Sequence, residues 1–545
     1  MMYPYLKKIR VGVSLIVFCA LLLLFVDITN VTRVPLVELP ASLQFLPALM
    51  ETVRMGVVPA GLIAVFLLTL IAGRVYCSSI CPLGTLQDLV IALSRKTRGP
   101  RKYRFHQAYT VLHYSFLAVM VAGAAAGSLV LIDLLDPYSF FGRIAFVLAR
   151  PGVVGANNAA AWVFAQLHVF LLYAVPFHAA APAVLILTLS MLGVLVWMSY
   201  YHGRLFCNLL CPTGAMLSIL SRVSLFRLAF NNEECRDCSL CEKVCKAESI
   251  DYKKRTLDFS RCVSCFDCID ACPAIGVEYR FRYSKKKDEP PPPDAKRAVN
   301  AKRREMLRQS AGLVAAAASV TALTAASSHS GSIASADGAT PSAGTVAAGT
   351  APPEVYSYTR RGVVTPPGSR SAAHFTTSCT SCYLCVSACP SQVIAPSFLE
   401  YGLAGILQPK MDYSQAYCAY ECTVCTSVCP SGALLPLALP EKKETQLGRA
   451  KFNKDDCIVI TKKTDCGACS EHCPTKAVQM VKTDGLFLPK MTEDLCVGCG
   501  ACEHACPTRP NKAIFVQASP VHGKAQKPVQ KKIEEKKEIP VEFPF

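Results

Sequence analysis

The chain has 545 residues, 52% of them hydrophobic and 18% charged, with 29 cysteines and a formal net charge of +18. Apolar runs too long for a soluble core exclude a wholly soluble protein, and cysteines spaced as metal ligands exclude a disulfide scaffold. The excess positive charge is spread over loops, a linker and a tail without any nucleic-acid-binding signature, which excludes a nucleic-acid partner.

Lys7, Lys8 and Arg10 precede the apolar run Val11 to Val26, which predicts a first span with its N-terminus in the cytoplasm. Cys19 within it reads as a small buried hydrophobe. A second span is expected from Gly56 to Gly73. The loop Ser94 to Arg104 then carries Arg95, Lys96, Arg98, Arg101, Lys102 and Arg104, an inside-facing signal. Ala108 to Ile132 should go out and Pro182 to Tyr200 should return. Between them, Ala159 to Phe177 is apolar enough to cross, but parity argues for an outside, interfacial or re-entrant segment. Phe140 to Arg150, with Arg143 and Arg150, reads as interfacial too. His113 and His168 lie in these apolar segments, where an ionisable side chain is either a quinone contact or a hydrogen-bonded structural group.

The two returning spans end alike, in G-R-V-Y-C-S-S-I-C-P-L-G and G-R-L-F-C-N-L-L-C-P-T-G. Each places two cysteines four apart on one side of a helical turn. Cys77, Cys81, Cys207 and Cys211 would together supply four thiolates, enough for one iron-sulfur cluster. A redox-active thiol pair or a purely structural repeat is the alternative.

Next come Cys235, Cys238, Cys241 and Cys245, then Cys262, Cys265, Cys268 and Cys272, each set spaced C-x2-C-x2-C-x3-C. In this two-cluster ferredoxin pattern the fourth cysteine of each set crosses to the other cluster. Cys235, Cys238, Cys241 and Cys272 are expected to hold one cluster, and Cys262, Cys265, Cys268 and Cys245 the other. Zinc is the weaker alternative, because a third and fourth cysteine accompany each pair.

Residues 284–301 form a basic, proline-rich linker. Residues 302–326, with Arg303 and Arg304 before a small-residue apolar run, read as a twin-arginine export signal or an ordinary span; both place the downstream half of the chain outside. Residues 327–365 read as a flexible linker in which Ala334-Ser335-Ala336 is a candidate cleavage site. Four more cysteine sets lie in 366–520: Cys379, Cys382, Cys385 and Cys389; Cys418, Cys422, Cys425 and Cys429; Cys457, Cys466, Cys469 and Cys473; and Cys496, Cys499, Cys502 and Cys506. In a four-set domain the crossing ligands are expected between the first and last sets and between the middle two. A lysine-rich tail, 521–545, closes the chain.

The order of these motifs resembles two joined families. Residues 1 to about 285 resemble the NapH membrane iron-sulfur proteins, with the membrane part at 1–225 and a cytoplasmic ferredoxin at 226–283. Residues from about 300 onward look like NapG, an exported four-cluster ferredoxin. The fold this implies is a membrane α-helical bundle, four spans plus a fifth signal or anchor span, with α+β ferredoxin-like domains, one two-cluster and cytoplasmic, one four-cluster and periplasmic. The regular cysteine sets imply six [4Fe-4S] clusters, and a further one would follow if the Cys-x3-Cys-Pro motifs share a cluster. The resemblance implies a multi-pass protein of the bacterial inner membrane that oxidises quinol, such as menaquinol, from the quinone pool for a periplasmic reductase such as nitrate reductase. Electron transfer from a cytoplasmic donor to quinone or an outside acceptor is an alternative, and an iron-sulfur redox sensor or maturation factor is another. The chain has no c-type haem attachment motif, dinucleotide fingerprint or nucleophile elbow.

Overall fold

The computed structural model describes residues 3–27, 35–98, 103–107, 109–175, 181–231, 234–274, 276–283, 362–483 and 485–527. The linker 284–301, the signal 302–326, the linker as far as residue 361 and the tail from 528 lie outside the described residues.

The membrane part is a helical bundle: α1 (Tyr3–Val26), α2 (Pro35–Ser42), α3 (Phe45–Met55), α4 (Ala60–Ala72), α5 (Tyr76–Ser79), α6 (Pro82–Arg98), α7 (Thr110–Ala125), α8 (Val130–Leu135), α9 (Pro137–Ile144), α10 (Arg150–Gln166), α11 (Pro182–His202), α12 (Leu205–Leu209) and α13 (Pro212–Ser221). A π turn, Ala145–Ala149, joins α9 to α10 into one 30-residue helix. Among the described residues three helices are long and apolar enough to cross a membrane: Tyr5–Val26, Pro137–Gln166 and Pro182–His202. Two further expected spans appear as shorter apolar helices, α4 and α7. Ile16, Leu67, Val121, Trp162 and Ile186 on these helices are exposed, as lipid-facing residues are. Cys19, read from sequence as buried, is also exposed.

The stretch Phe140 to Arg150 differs from the interfacial segment expected of it. Phe140, Phe141, Arg143 and Ile144 are all buried. Arg143 can be buried because its guanidinium donates to the carbonyl oxygens of Asp133 and Leu134, so its charge does not need water. The Asp136 side chain accepts from the Ser139 backbone N–H at 2.8 Å, with Pro137 in the first turn, which fixes where α9 begins.

α4–α5–α6 and α11–α12–α13 repeat one plan: an apolar helix, a one-turn helix bearing the first cysteine of the pair, and a proline-led helix. Gly73 and Gly203 break the chain between the first two elements at φ +76 and +61, values that a side chain disfavours.

The first ferredoxin unit is closed by β1 (Phe226–Phe230) paired antiparallel with β4 (Val277–Phe281), with β2 (Ile250–Asp251) and β3 (Thr256–Leu257) as a short hairpin. The second soluble unit carries three antiparallel pairs: β5 (Ile394–Pro396) with β6 (Pro409–Met411), β7 (Thr445–Phe452) with β10 (Ile514–Lys524), and β8 (Val478–Thr483) with β9 (Leu486–Met491).

The two units meet α1 at opposite ends. Near its N-terminus, Lys7 pairs with Asp270 at 2.7 Å and Asp267 at 3.5 Å in the first unit. Near its C-terminus, Leu21, Leu24 and Phe25 pack with Cys382 and Leu384 of the second. At 1.5 Å per residue, Lys7 and Phe25 stand about 27 Å apart along the helix, close to the ~30 Å hydrocarbon thickness of a bilayer.

Candidate iron-sulfur centres

The structure brings Cys77, Cys81, Cys207 and Cys211 together. All four are buried, and each pair lies within electrostatic reach of the other. The two repeats lock one another by exchanged arginines. Arg74 of the first donates to the Cys207 carbonyl at 3.2 Å, and Arg204 of the second donates to the Cys77 carbonyl at 3.1 Å. Both guanidinium groups are fully buried. Arg74 is also held by Asn208 at 2.9 Å and the Ser260 carbonyl at 3.0 Å, while Arg204 pairs with Asp88 at 2.8 Å. Four ionised thiolates around an iron-sulfur core carry net negative charge, which favours buried cations beside it; Arg204 already has Asp88, whereas Arg74 has only neutral acceptors and would gain its counter-charge from the thiolates. The donor set therefore fits a cluster. The arginines were visible in sequence as the repeated G-R, but not their exchange between repeats.

The first ferredoxin unit lies directly against this centre. Cys265 shares a core with Cys77, Cys81 and Cys211, and Ser78 Oγ donates to the Ser264 carbonyl at 3.4 Å. Cys262, Cys265, Cys268 and Cys245 form the near group, since Cys268 faces the other three. Cys235, Cys238, Cys241 and Cys272 form the far one, since Cys241 faces the other three. Cys238 there is exposed.

In the second unit consecutive sets exchange their fourth cysteine, which differs from the expected first-with-last and middle-two arrangement. Cys385 faces Cys379, Cys382 and Cys429; Cys425 faces Cys418, Cys422 and Cys389. Cys469 faces Cys466 and Cys506, with Cys457 beside them; Cys502 faces Cys496, Cys499 and Cys473. The middle groups join where the Cys418 N–H donates to the Cys499 carbonyl at 2.9 Å. Sets adjacent in sequence close shorter loops, and that costs less chain entropy than pairing first with last.

These soluble sites fit clusters better than single ions. Among the described residues no three Cys, His, Asp or Glu side chains converge closely enough to hold one metal ion, as expected when each sulfur serves a separate iron of a cubane. Backbone N–H groups reach the sulfurs: Ser264 to Cys262 at 3.4 Å, Gly276 to Cys272 at 3.2 Å, Leu434 to Cys429 at 3.4 Å and Ala450 to Cys496 at 3.4 Å. Such bonds favour the thiolate and tune a cluster. Burial pushes the Cys265 thiol up to about 11, so without iron it would hold its proton. Burial also acts to raise Cys506, but the Thr508 hydroxyl at 3.1 Å and backbone N–H groups outweigh it and hold that thiol below its ordinary value.

The Cys379 group lies against α9. Gly142 approaches the Cys382 carbonyl so closely that an added Cβ would stand 2.1 Å from it. The neighbouring Phe140 packs on the other side with Tyr76, Cys77 and Cys211, its ring 6.5 Å from Phe206. One helix, about 10–12 Å across, thus separates the membrane centre from the second unit's first site. His113 is buried, with its ring beside the Cys211 backbone. His168 is exposed at the end of α10, at φ +56.

A 4Fe-4S binding domain matches residues 55–101 and 184–232, the two halves of the membrane repeat. Another 4Fe-4S binding domain matches 259–280. A 4Fe-4S dicluster domain matches 369–433 and again 462–509, in keeping with the consecutive pairing. The chain is 28% identical over 238 residues to the uncharacterized protein MJ0750 of Methanocaldococcus jannaschii, across 42% of this chain and 82% of that one. It is 27% identical to the regulatory protein NosR of Pseudomonas aeruginosa, across 38% of this chain and 26% of that one. It is 26% identical to the ferredoxin-type protein NapH of Escherichia coli, across 41% and 69%. No solved structure matches the chain. Fold and sites together define a membrane-associated iron-sulfur electron-transfer protein, similar to NapH and NosR.

Proposed function

We propose that this protein oxidises a membrane hydroquinone such as menaquinol and passes the electrons outward to a periplasmic reductase, nitrate reductase being the partner implied by a NapH-NapG fusion. One observation carries the reading. The cysteine groups form an unbroken series from Cys238, through the centre at Cys77, Cys81, Cys207 and Cys211, past α9, to Cys466. Iron-sulfur clusters bound at these seven groups would supply one-electron carriers. A hydroquinone that becomes quinone releases two electrons and two protons; two stations take one electron each, and the protons go to solvent. Lys7 and Arg95 pair with Asp267 of the first ferredoxin unit, and the Tyr103 N–H donates to the Lys243 carbonyl there, which supports an inside location for that unit and an outside one for 362–527.

The test is anaerobic purification with iron and sulfide quantification, followed by mixing with menadiol. About seven cubanes per chain that menadiol reduces is the expected result. About two clusters, zinc alone, or clusters reducible by dithionite but never by menadiol would sink it. The exposed Cys238 favours one second reading, in which a cytoplasmic donor feeds the same series from its inner end; reduction by a soluble ferredoxin instead of menadiol would select it.

A further inference from the structure

His113 lies beside the Cys211 backbone at the membrane centre. It is 7% exposed. Its ring nitrogen Nε2 is buried without a hydrogen-bond partner. A buried polar atom left unpaired costs roughly 1–3 kcal/mol, so such an atom in a native fold calls for a ligand or water. In a neutral ring protonated on its other nitrogen, Nε2 is an acceptor. It needs an O–H or N–H donor.

The surroundings narrow the donor. His113 lies on α7, which packs on α12 and α13, the elements carrying Cys207 and the residues just after Cys211. The residues immediately before it, Val111 and Leu112, are exposed on the apolar outer face. A ligand reaching His113 would therefore come sideways from lipid, past aliphatic side chains, and its head must be aromatic or aliphatic with a hydroxyl. On the inner side it would meet Tyr114, whose ring stands 5.7 Å from the imidazole and whose hydroxyl is held by Ser218 at 2.8 Å and Arg222 at 2.9 Å. That leaves the imidazole Nε2 as the unpartnered polar atom.

We propose that His113 Nε2 accepts the hydroxyl of a lipid-borne hydroquinone and so seats the headgroup beside the Cys-x3-Cys-Pro centre. His113 is a binding residue in this assignment, and the inference rests on the quinol reading above. His168, exposed at a helix end, has no such part.

The test uses the full chain in detergent, as wild type, His113→Ala and His113→Asn, each first checked for iron content and for dithionite-reducible signal. Binding is read by fluorescence quenching of the hydroquinone analogue 2-heptyl-4-hydroxyquinoline N-oxide, and reduction by stopped-flow mixing with menadiol. The site predicts that wild type binds the analogue and that both variants, with clusters intact, bind it about tenfold more weakly, as for one lost hydrogen bond. The KM for menadiol should rise by a similar factor. Wild type failing to bind, or variants binding as tightly as wild type, would overturn the assignment. Wild type that binds the analogue but is not reduced by menadiol would remove the quinol-oxidation reading and leave the site standing as a quinone site.

Discussion

Ser264 and Phe266 stand at φ +50 and +60 around Cys265, and Ser381 and Tyr383 at +53 and +64 around Cys382. Asp237 and Ser239 repeat the pair around Cys238, and Gly498 and Gly500 around Cys499. A left-handed conformation costs a non-glycine residue roughly 1–2 kcal/mol, and strain of this kind is kept where a site requires it. The four regular C-x2-C-x2-C sets share this turn, and the two with lengthened first gaps do not. At the membrane centre a glycine does comparable work: a Cβ on Gly84 would stand 2.2 Å from the Cys77 carbonyl, and one on Gly214 would stand 2.2 Å from that of Cys207. Gly84→Ala and Gly214→Ala should each cost about 1–3 kcal/mol and remove the same membrane-centre signal while sparing the ferredoxin ones. Electron paramagnetic resonance on purified variants would check this, and two variants with different spectra would contradict a shared site.

Asp88 sets a second expectation at this scale. Burial acts to raise its carboxyl, but Arg204, Lys246 and Arg10 outweigh that and hold it well below the usual carboxylate range. A depressed value in the folded state adds stability that is fully present above the unfolded pKa of about 3.9 and is lost only as pH falls through the lower folded value. Docking of residues 226–283 on the helices should therefore be flat from pH 5 to 8 as read by hydrogen exchange. Asp88→Asn, which takes the carboxylate from Arg10 and Arg204 and leaves Lys246 with Asp267 alone, should loosen it by about 3–5 kcal/mol.

Among the elements, α9 has the position that matters most for electron flow, and little in the sequence marks it. Arg143 and Arg150 point to an interfacial segment until the carbonyls of Asp133 and Leu134 are seen to receive Arg143; those acceptors come from a neighbouring turn that no local pattern reveals. The cysteine sets were legible because cluster binding fixes residue type and spacing together. Spacing suggests which cysteines group together where there are two sets and not where there are four, since it does not encode which set folds on which. Gly142→Val tests α9 directly. The side chain would collide with the Cys382 carbonyl and Phe25 and push the second unit off the helix. Iron content should hold, while menadiol-driven reduction of the Cys379 to Cys506 sites slows in rapid-mixing experiments; an unchanged rate would mean that electrons do not pass at α9.

At the scale of the whole molecule, two soluble units are tied to one bundle by chain and by contact, and the two ties can be separated. The seam between the bundle and residues 362–527 is largely apolar: Leu21, Leu24, Phe25, Tyr138 and Phe141 meet Cys382 and Leu384, and Val184 joins the core around Cys379 and Cys385. Its polar contact is buried: Gln408, which also bonds the Thr376 and Cys379 carbonyls of its own unit at 2.9 and 3.1 Å, donates to Asp133 of the bundle at 3.4 Å. Apolar contact is not screened by salt, and buried polar pairs are screened far less than exposed ones. Cutting the covalent link should therefore leave the halves together. With a protease site placed in the small-residue run between Ser327 and Pro353, digestion of intact spheroplasts should cut the chain from outside, and both fragments should then copurify in mild detergent at high salt. Release of the C-terminal fragment would show that the linker alone holds it, and a site cut only in inverted vesicles would reverse the proposed sidedness.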